Sequence, residues 1–138
     1  MEIRTLITHR MVKSEDLNHH GTLYAGRSAE WFVESGFIAA SSLCKPENIV
    51  CLRIHGMTFC RPMRCGDILL FESKVVLTGR TRLVTYVRVL MKEEVSVEGF
   101  ITFIHVDRNG RPEPHGITVE ARTPEDAALQ DQAQKLFE

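Results

Sequence analysis

The sequence predicts an α+β fold in which one long, largely apolar helix is wrapped by a curved antiparallel sheet of five to six strands. Three observations lead there. Between residues 26 and 43 lies the one long segment with neither proline nor strand alternation, and its apolar residues recur at helical spacing. One strand-like segment precedes it, and four more follow as a meander joined by turns. The composition, 43% hydrophobic and 25% charged over 138 residues, is that of one ordinary domain able to build its own core.

Residues 2–12 carry Ile3, Leu6, Ile7, Met11 and Val12 in an imperfect strand pattern. Residues 13–22 are polar, with Asp16, Asn18, His19, His20 and Gly21, and read as a loop. Ala25, Ala29, Phe32, Val33, Gly36, Phe37 and Ala40 mark the helix, where Gly36, Ala39 and Ala40 are small enough for a close backbone approach. Lys45-Pro46-Glu47-Asn48 ends it. Strands are expected over 49–59, 68–77, 82–91 and 98–106, with turns at 61–67 and 78–81 and a break at the charged Lys92-Glu93-Glu94. Residues 120–137 predict a terminal helix beyond a core of about 3–112, so that 1–138 reads as a single domain.

A helix apolar over most of its circumference needs cover on more sides than one sheet supplies, and a five- or six-stranded sheet leaves edges. Strand 49–59 mixes Ile49, Cys51, Ile54, Met57 and Phe59 with Arg53, His55 and Thr58, an edge suited to pairing with a second copy. The expectation is a homodimer, open to doubling into a tetramer.

The 17 Lys and Arg against 18 Asp and Glu give a net charge of −1, with no electrostatic footprint for nucleic acid. The start Met-Glu-Ile-Arg-Thr has no signal-peptide core, and no apolar run approaches the roughly 18 residues of a membrane span. A cytoplasmic chain without membrane contact is expected. Cys44, Cys51, Cys60 and Cys65 lack C-x-x-C spacing and read as buried free thiols, and no H-x-x-x-H pair suggests a metal. The helix serines Ser28, Ser35, Ser41 and Ser42 lack a G-x-S-x-G elbow.

The chemistry concentrates ahead of the helix, in Asp16-Leu17-Asn18-His19-His20-Gly21-Thr22-Leu23-Tyr24-Ala25-Gly26. A polar loop entering a helix start gathers free N–H groups at the positive end of the macrodipole, and Gly26 lets a ligand carbonyl approach the main chain. That is an oxyanion hole for an acyl group. Glu30 and Glu34 are the helix carboxylates. Glu34, set among Phe32, Val33, Gly36 and Phe37, is the one placed for partial desolvation and general-base work. Arg61, Arg64, Arg80, Arg82 and Arg88 gather around two turns, and Thr78-Gly79-Arg80-Thr81-Arg82 offers a phosphate two guanidinium forks.

The ordered set Asp16-x-Asn18-x-x-Gly21-x-x-Tyr24-x-Gly26, helix 30–40, His55-Gly56-Met57-Thr58-Phe59-Cys60-Arg61-Pro62 through Gly66-Asp67, and Thr78-Gly79-Arg80-Thr81 resembles the hot-dog-fold acyl-CoA thioesterases, such as 4-hydroxybenzoyl-CoA thioesterases and acyl-CoA hydrolases. The resemblance implies hydrolysis of an acyl-CoA, dimers built further into tetramers or hexamers, two sites per dimer, and no cofactor apart from the CoA of the substrate. It implies Asn18, Glu34 and the helix start at Gly26 as the catalytic set. His19, Tyr24, Met57, Phe59, Arg61, Arg80, Thr81 and Arg82 are the substrate-binding candidates, with Asn18 and Glu34 of one copy facing residues 55–61 of the other. Counting from Gly26, the family's helix acid falls on Val33 and Glu34 follows, a step that rotates a helical side chain by about 100°. Two other readings follow from the same residues: a non-catalytic acyl-CoA binder, motivated by Val33, and a hot-dog hydratase pairing His20 with Glu30.

Overall fold

Helix and strands form in the expected order because the apolar spacing switches between a period of two and one near 3.6 where the sequence places it. The computed structural model describes every residue from Met1 to Glu138. β1 (Leu6–Met11) leads through a 3-10 turn at Ser14–Asp16 into α1 (Ala25–Ser41). Then come β2 (Ile49–Ile54), β3 (Thr58–Phe59), β4 (Ile68–Thr78), β5 (Arg82–Met91), β6 (Glu94–His105) and α2 (Pro124–Lys135).

All six strands share one antiparallel sheet in the order β1-β4-β5-β6-β2, with β3 also on β6. Register shifts at Cys51/Arg53, Val75/Leu77 and Val89/Leu90 increase the local bend and twist. α1 lies against one face. Trp31, Phe32, Ala39 and Ala40 pack there with Leu69, Phe71, Leu83, Val87, Val89, Ile101 and Phe103. Gly36 sets the helix–sheet distance, since a Cβ there would come within 2.9 Å of the Ile101 side chain and 3.1 Å of Thr85 Oγ1. α2 covers part of the opposite face through Leu129 and Ala133 on Val76, Val84 and Tyr86. Lys74 Nζ pairs with Asp126 at 2.6 Å, and Tyr86 donates its hydroxyl to Glu98 Oε2 at 2.6 Å. Burial, with the Glu98 carboxylate beside it, pushes the Tyr86 phenol well above its ordinary range.

Four expectations are corrected. α1 is not covered all round: its buried residues lie on one stripe, while Glu30, Glu34 and Ile38 are exposed. Strand 49–59 splits, because the chain leaves the ladder at His55–Met57 where Gly56 adopts φ +143° and crosses so near β6 that a Cβ on Gly99 would lie 2.0 Å from the Gly56 carbonyl oxygen. The charged residues at 92–94 do not break the last strand. Glu94 pairs with Met91, and only Lys92 and Glu93 form the turn, in the left-handed region at φ +50° and +67°. A hairpin tip is solvated, so charge is no obstacle to it. Finally, Cys51 and Cys60 are exposed because β2 and the end of β3 are uncovered, Cys65 is exposed in the turn before β4, and Cys44 is half-buried just after α1. On that edge Val50, Leu52 and Ile54 are open to solvent, Leu52 to 64%. No helix is long and apolar enough to cross a membrane.

Two consecutive non-glycine residues with positive φ make the β5–β6 turn the type that Asn-Gly favours. Replacing Lys92→Asn together with Glu93→Gly should raise the unfolding free energy by about 1 kcal/mol. The check is a higher urea midpoint at unchanged slope.

Candidate active site

The loop between β1 and α1 is held from within. Asp16 is only 2% exposed; its Oδ1 accepts from Arg27 Nη1 at 2.7 Å and its Oδ2 from the Lys13 N–H at 2.9 Å. Its carbonyl accepts the Tyr24 N–H at 2.9 Å, which fixes the residue before the helix. Asn18 closes the loop tip. Its Oδ1 accepts the N–H groups of His20 (2.8 Å) and Thr22 (3.2 Å), and its Nδ2 donates to Thr22 Oγ1 at 3.1 Å, around Gly21 at φ +78°. This is the local bonding that Asn favours in turns. The Leu23 N–H reaches the Met63 carbonyl at 2.7 Å and docks the loop onto the turn after β3.

Between these two segments opens a cleft of about 280 Å³. Asn18, Thr22, Ala25 and Ser28 line it from the loop and helix, and Phe59, Cys60, Arg61 and Pro62 from the turn. Leu23 and Met63, both buried, belong to its floor. The N–H groups of Arg27 and Ser28 both go to the Tyr24 carbonyl, whereas those of Ala25 and Gly26 have no backbone acceptor. Tyr24 provides no side-chain cap, and the first turn carries no acidic residue. The positive end of α1 is therefore open beside Ala25, with donors able to stabilise a developing negative charge. No carboxylate lines the cleft.

Of the residues expected here, the structure brings together Asn18, Phe59 and Arg61, with the helix start adjoining them. Within the single chain they already meet, because Leu23 and Thr22 bridge directly to Met63 and Arg64. Arg61 also pairs with Glu94. Glu34 lies elsewhere. Its side chain is 51% exposed and pairs with Arg10, which rests on the Trp31 ring 5.0 Å from the centroid. Val33 is half-buried against the core. Gly26 makes room for a neighbour, since a Cβ there would meet the exposed Tyr24 ring at 2.4 Å. His19 is exposed against His20, ring centroids 3.9 Å apart, and Met57 packs on the core. Neither lines the cleft, and Glu30 faces Arg27 at 3.9 Å.

The second arginine set is distant. Arg80 lines a separate polar pocket with His115, Gly116 and Thr118. The Thr81 carbonyl accepts the His105 N–H, and the Arg82 guanidinium sits 3.8 Å over the Phe137 ring. Thr22, Leu23, Ala25, Ser28, Cys60, Pro62 and Met63 are cleft residues that were not among the expected site residues. For Ser28 a signal existed: it stands three residues after Ala25, on the same helix face. No three His, Cys, Asp or Glu side chains converge as a metal site.

The thioesterase superfamily model matches residues 20–98. The uncharacterized acyl-CoA thioester hydrolase YkhA of Bacillus subtilis is 27% identical over 105 residues, 72% of this chain, and the chain spans only 60% of that relative's length. The acyl-CoA thioester hydrolase YciA of Salmonella typhimurium is 26% identical over 79% of this chain and 88% of its own. The crystal structure of an apo-hexameric acyl-CoA thioesterase superposes with a TM-score of 0.88 at 30% identity, covering 95% of this chain and 86% of that one.

Since Asp16 anchors the loop, Asp16→Ala should lower the unfolding free energy by about 1–3 kcal/mol by orphaning the Lys13 N–H and releasing Arg27. Urea unfolding measures it. Hydrogen exchange should show residues 13–24 opening first.

Proposed function

The chain belongs to the thioesterase superfamily and has the hot-dog fold, and we propose that it hydrolyses an acyl-CoA in the cytoplasm to a free acid and CoA. The observation that carries the proposal is the cleft in which the unpaired N–H groups at the α1 start stand beside Asn18. Attack by water on the thioester carbonyl moves negative charge onto its oxygen, and those N–H donors meet it at the positive end of the helix. Asn18 Oδ1 is occupied by two loop N–H groups, so the second N–H of its Nδ2 is what it offers to the carbonyl or to water. Collapse of the tetrahedral intermediate expels CoA as the thiol. This route requires no metal or organic cofactor.

A base must come from outside the cleft of one protomer. Glu34, on the flank of α1 beside β1, is the candidate once it leaves Arg10. The exposed edge of β2 is where two copies would join, as a dimer and as the unit of a tetramer or hexamer. Antiparallel pairing of two β2 strands fits the position of Arg80 and Arg82. They lie at the far end of the 11-residue β4, roughly 35 Å from the Arg61 turn of their own chain. Such pairing carries the second copy's hairpin to the end where the first copy's Phe59–Arg61 turn stands, within reach of CoA phosphates.

A second reading is kept because Val33 packs into the core and no carboxylate lines the cleft: an acyl-CoA binder without turnover. Thiol release from a panel of acyl-CoAs separates the two, since the binder would retain affinity and release nothing. For the hydrolase, Asn18→Asp keeps the loop acceptor, removes the amide donor and should lower kcat about 10²-fold. Mixing Asn18→Asp with Glu34→Gln protein, unfolded and refolded together, should restore about a quarter of the wild-type rate if the two groups serve one site from different copies. No restoration would place both in one protomer. Leu52→Asp on the exposed edge should yield a folded monomer by light scattering, with activity lost.

A further inference from the structure

We propose that Ser28 makes the cleft selective for short acyl groups that carry a hydroxyl or oxo oxygen close to the thioester. The inference rests on the hydrolase reading and adds its substrate class. Ser28 is only 2% exposed, yet it lines the cleft. Apart from the free Asn18 amide N–H and the helix-start N–H groups reserved for the thioester, the polar groups around it are committed. Asn18 and Thr22 bond each other and the loop backbone, and Arg61 pairs with Glu94. The Ser28 hydroxyl makes no hydrogen bond within the chain and is not sealed from the cleft, so a bound acyl group either bonds it or strips it of water.

Its depth follows from the helix. Ala25 marks the open helix start where the thioester oxygen is held. Ser28 lies on the same face about 4.5 Å further along the axis. An acyl group whose carbonyl sits at the start therefore passes its second and third carbons over the Ser28 hydroxyl. A plain hydrocarbon chain strips water from that hydroxyl and returns nothing. An oxygen on the third carbon accepts from it or donates to it. With a volume of about 280 Å³ and a floor closed by Leu23 and Met63, the cleft favours a short chain. Sites that hydrogen-bond a substrate oxygen discriminate against the analogue lacking it far more strongly than apolar pockets discriminate a methylene.

The test uses the full chain and two readouts. Affinities are measured calorimetrically for non-hydrolysable analogues of butyryl-CoA and 3-hydroxybutyryl-CoA, with a methylene in place of the thioester sulfur. Wild-type protein should bind the hydroxylated analogue about tenfold more tightly. Ser28→Ala and the nearly isosteric Ser28→Cys should both erase that preference, Ser28→Ala by weakening the hydroxylated analogue and tightening the butyryl analogue. The same ratios should appear in kcat/KM for the two thioesters. Equal affinities in wild type, or a preference that survives both substitutions, would overturn the assignment. So would an equal loss of kcat on both substrates in Ser28→Ala, which would give Ser28 a role toward water instead. Binding preference without thiol release on any substrate would overturn the hydrolase reading and support Ser28. Thiol release with no binding preference would do the reverse.

Discussion

The site depends on one buried carboxylate. Asp16 holds Arg27 of the first helical turn, the Lys13 N–H and, through its carbonyl, the Tyr24 N–H. Together these bonds decide where α1 begins. Because Asp16 takes charge of the loop from outside the helix, the residue at the helix start need not be a cap, and Tyr24 is not one. A Ser, Thr, Asp or Asn at that place would stabilise the helix by about 1 kcal/mol, but its side chain would take the Gly26 N–H, which now has no acceptor. Local helix stability is thus lower than it could be at the point where an open dipole end is useful.

The sheet supplies the second half of the arrangement. β4 and β5 give α1 a continuous apolar bed, and Gly36 lets the helix settle into van der Waals contact with Ile101 and Thr85. A rigid helix on a rigid sheet positions the Ala25 and Gly26 N–H groups without help from the mobile ends of side chains. The turn after β3 then needs only to arrive at the same end. The Leu23–Met63 and Thr22–Arg64 backbone contacts bring it there, so the cleft walls come from segments some forty residues apart in sequence.

The helix, the strands and the open edge were legible in the sequence because each follows from apolar spacing, which the core obeys. Asn18 was legible for a related reason: an Asn three residues before a Gly in a polar loop has a local bonding pattern of its own. Glu34 shows where such reading stops. Its flanking residues are apolar, which suggested a desolvated carboxylate. Side chains adjacent in sequence on a helix point about 100° apart, however, and Arg10 on β1 meets Glu34 across the outer side of α1. That contact joins residues 24 apart and has no trace in local pattern. Ser28 escaped for the opposite reason. Its spacing from Ala25 was visible, but a serine was weighed only as a nucleophile and not as a hydroxyl on a cleft wall.

Val33 and Glu34 connect these points. A valine at 33 adds apolar surface to the core beneath α1, while a carboxylate at 34 is turned outward, where solvent and Arg10 accommodate its charge. A carboxylate at the half-buried position 33 would forfeit that apolar contact, so this order of residues favours the isolated protomer. It also leaves the cleft with donors and no base. The exposed Val50, Leu52 and Ile54 edge presents the matching deficit in packing. A strand edge asks for another strand, and a set of oxyanion donors asks for a general base. Each is a group that one copy of the chain lacks; symmetric pairing across β2 answers the first deficit, whereas Glu34, held by Arg10 on the opposite edge strand, lies on the far side of the sheet from that joint.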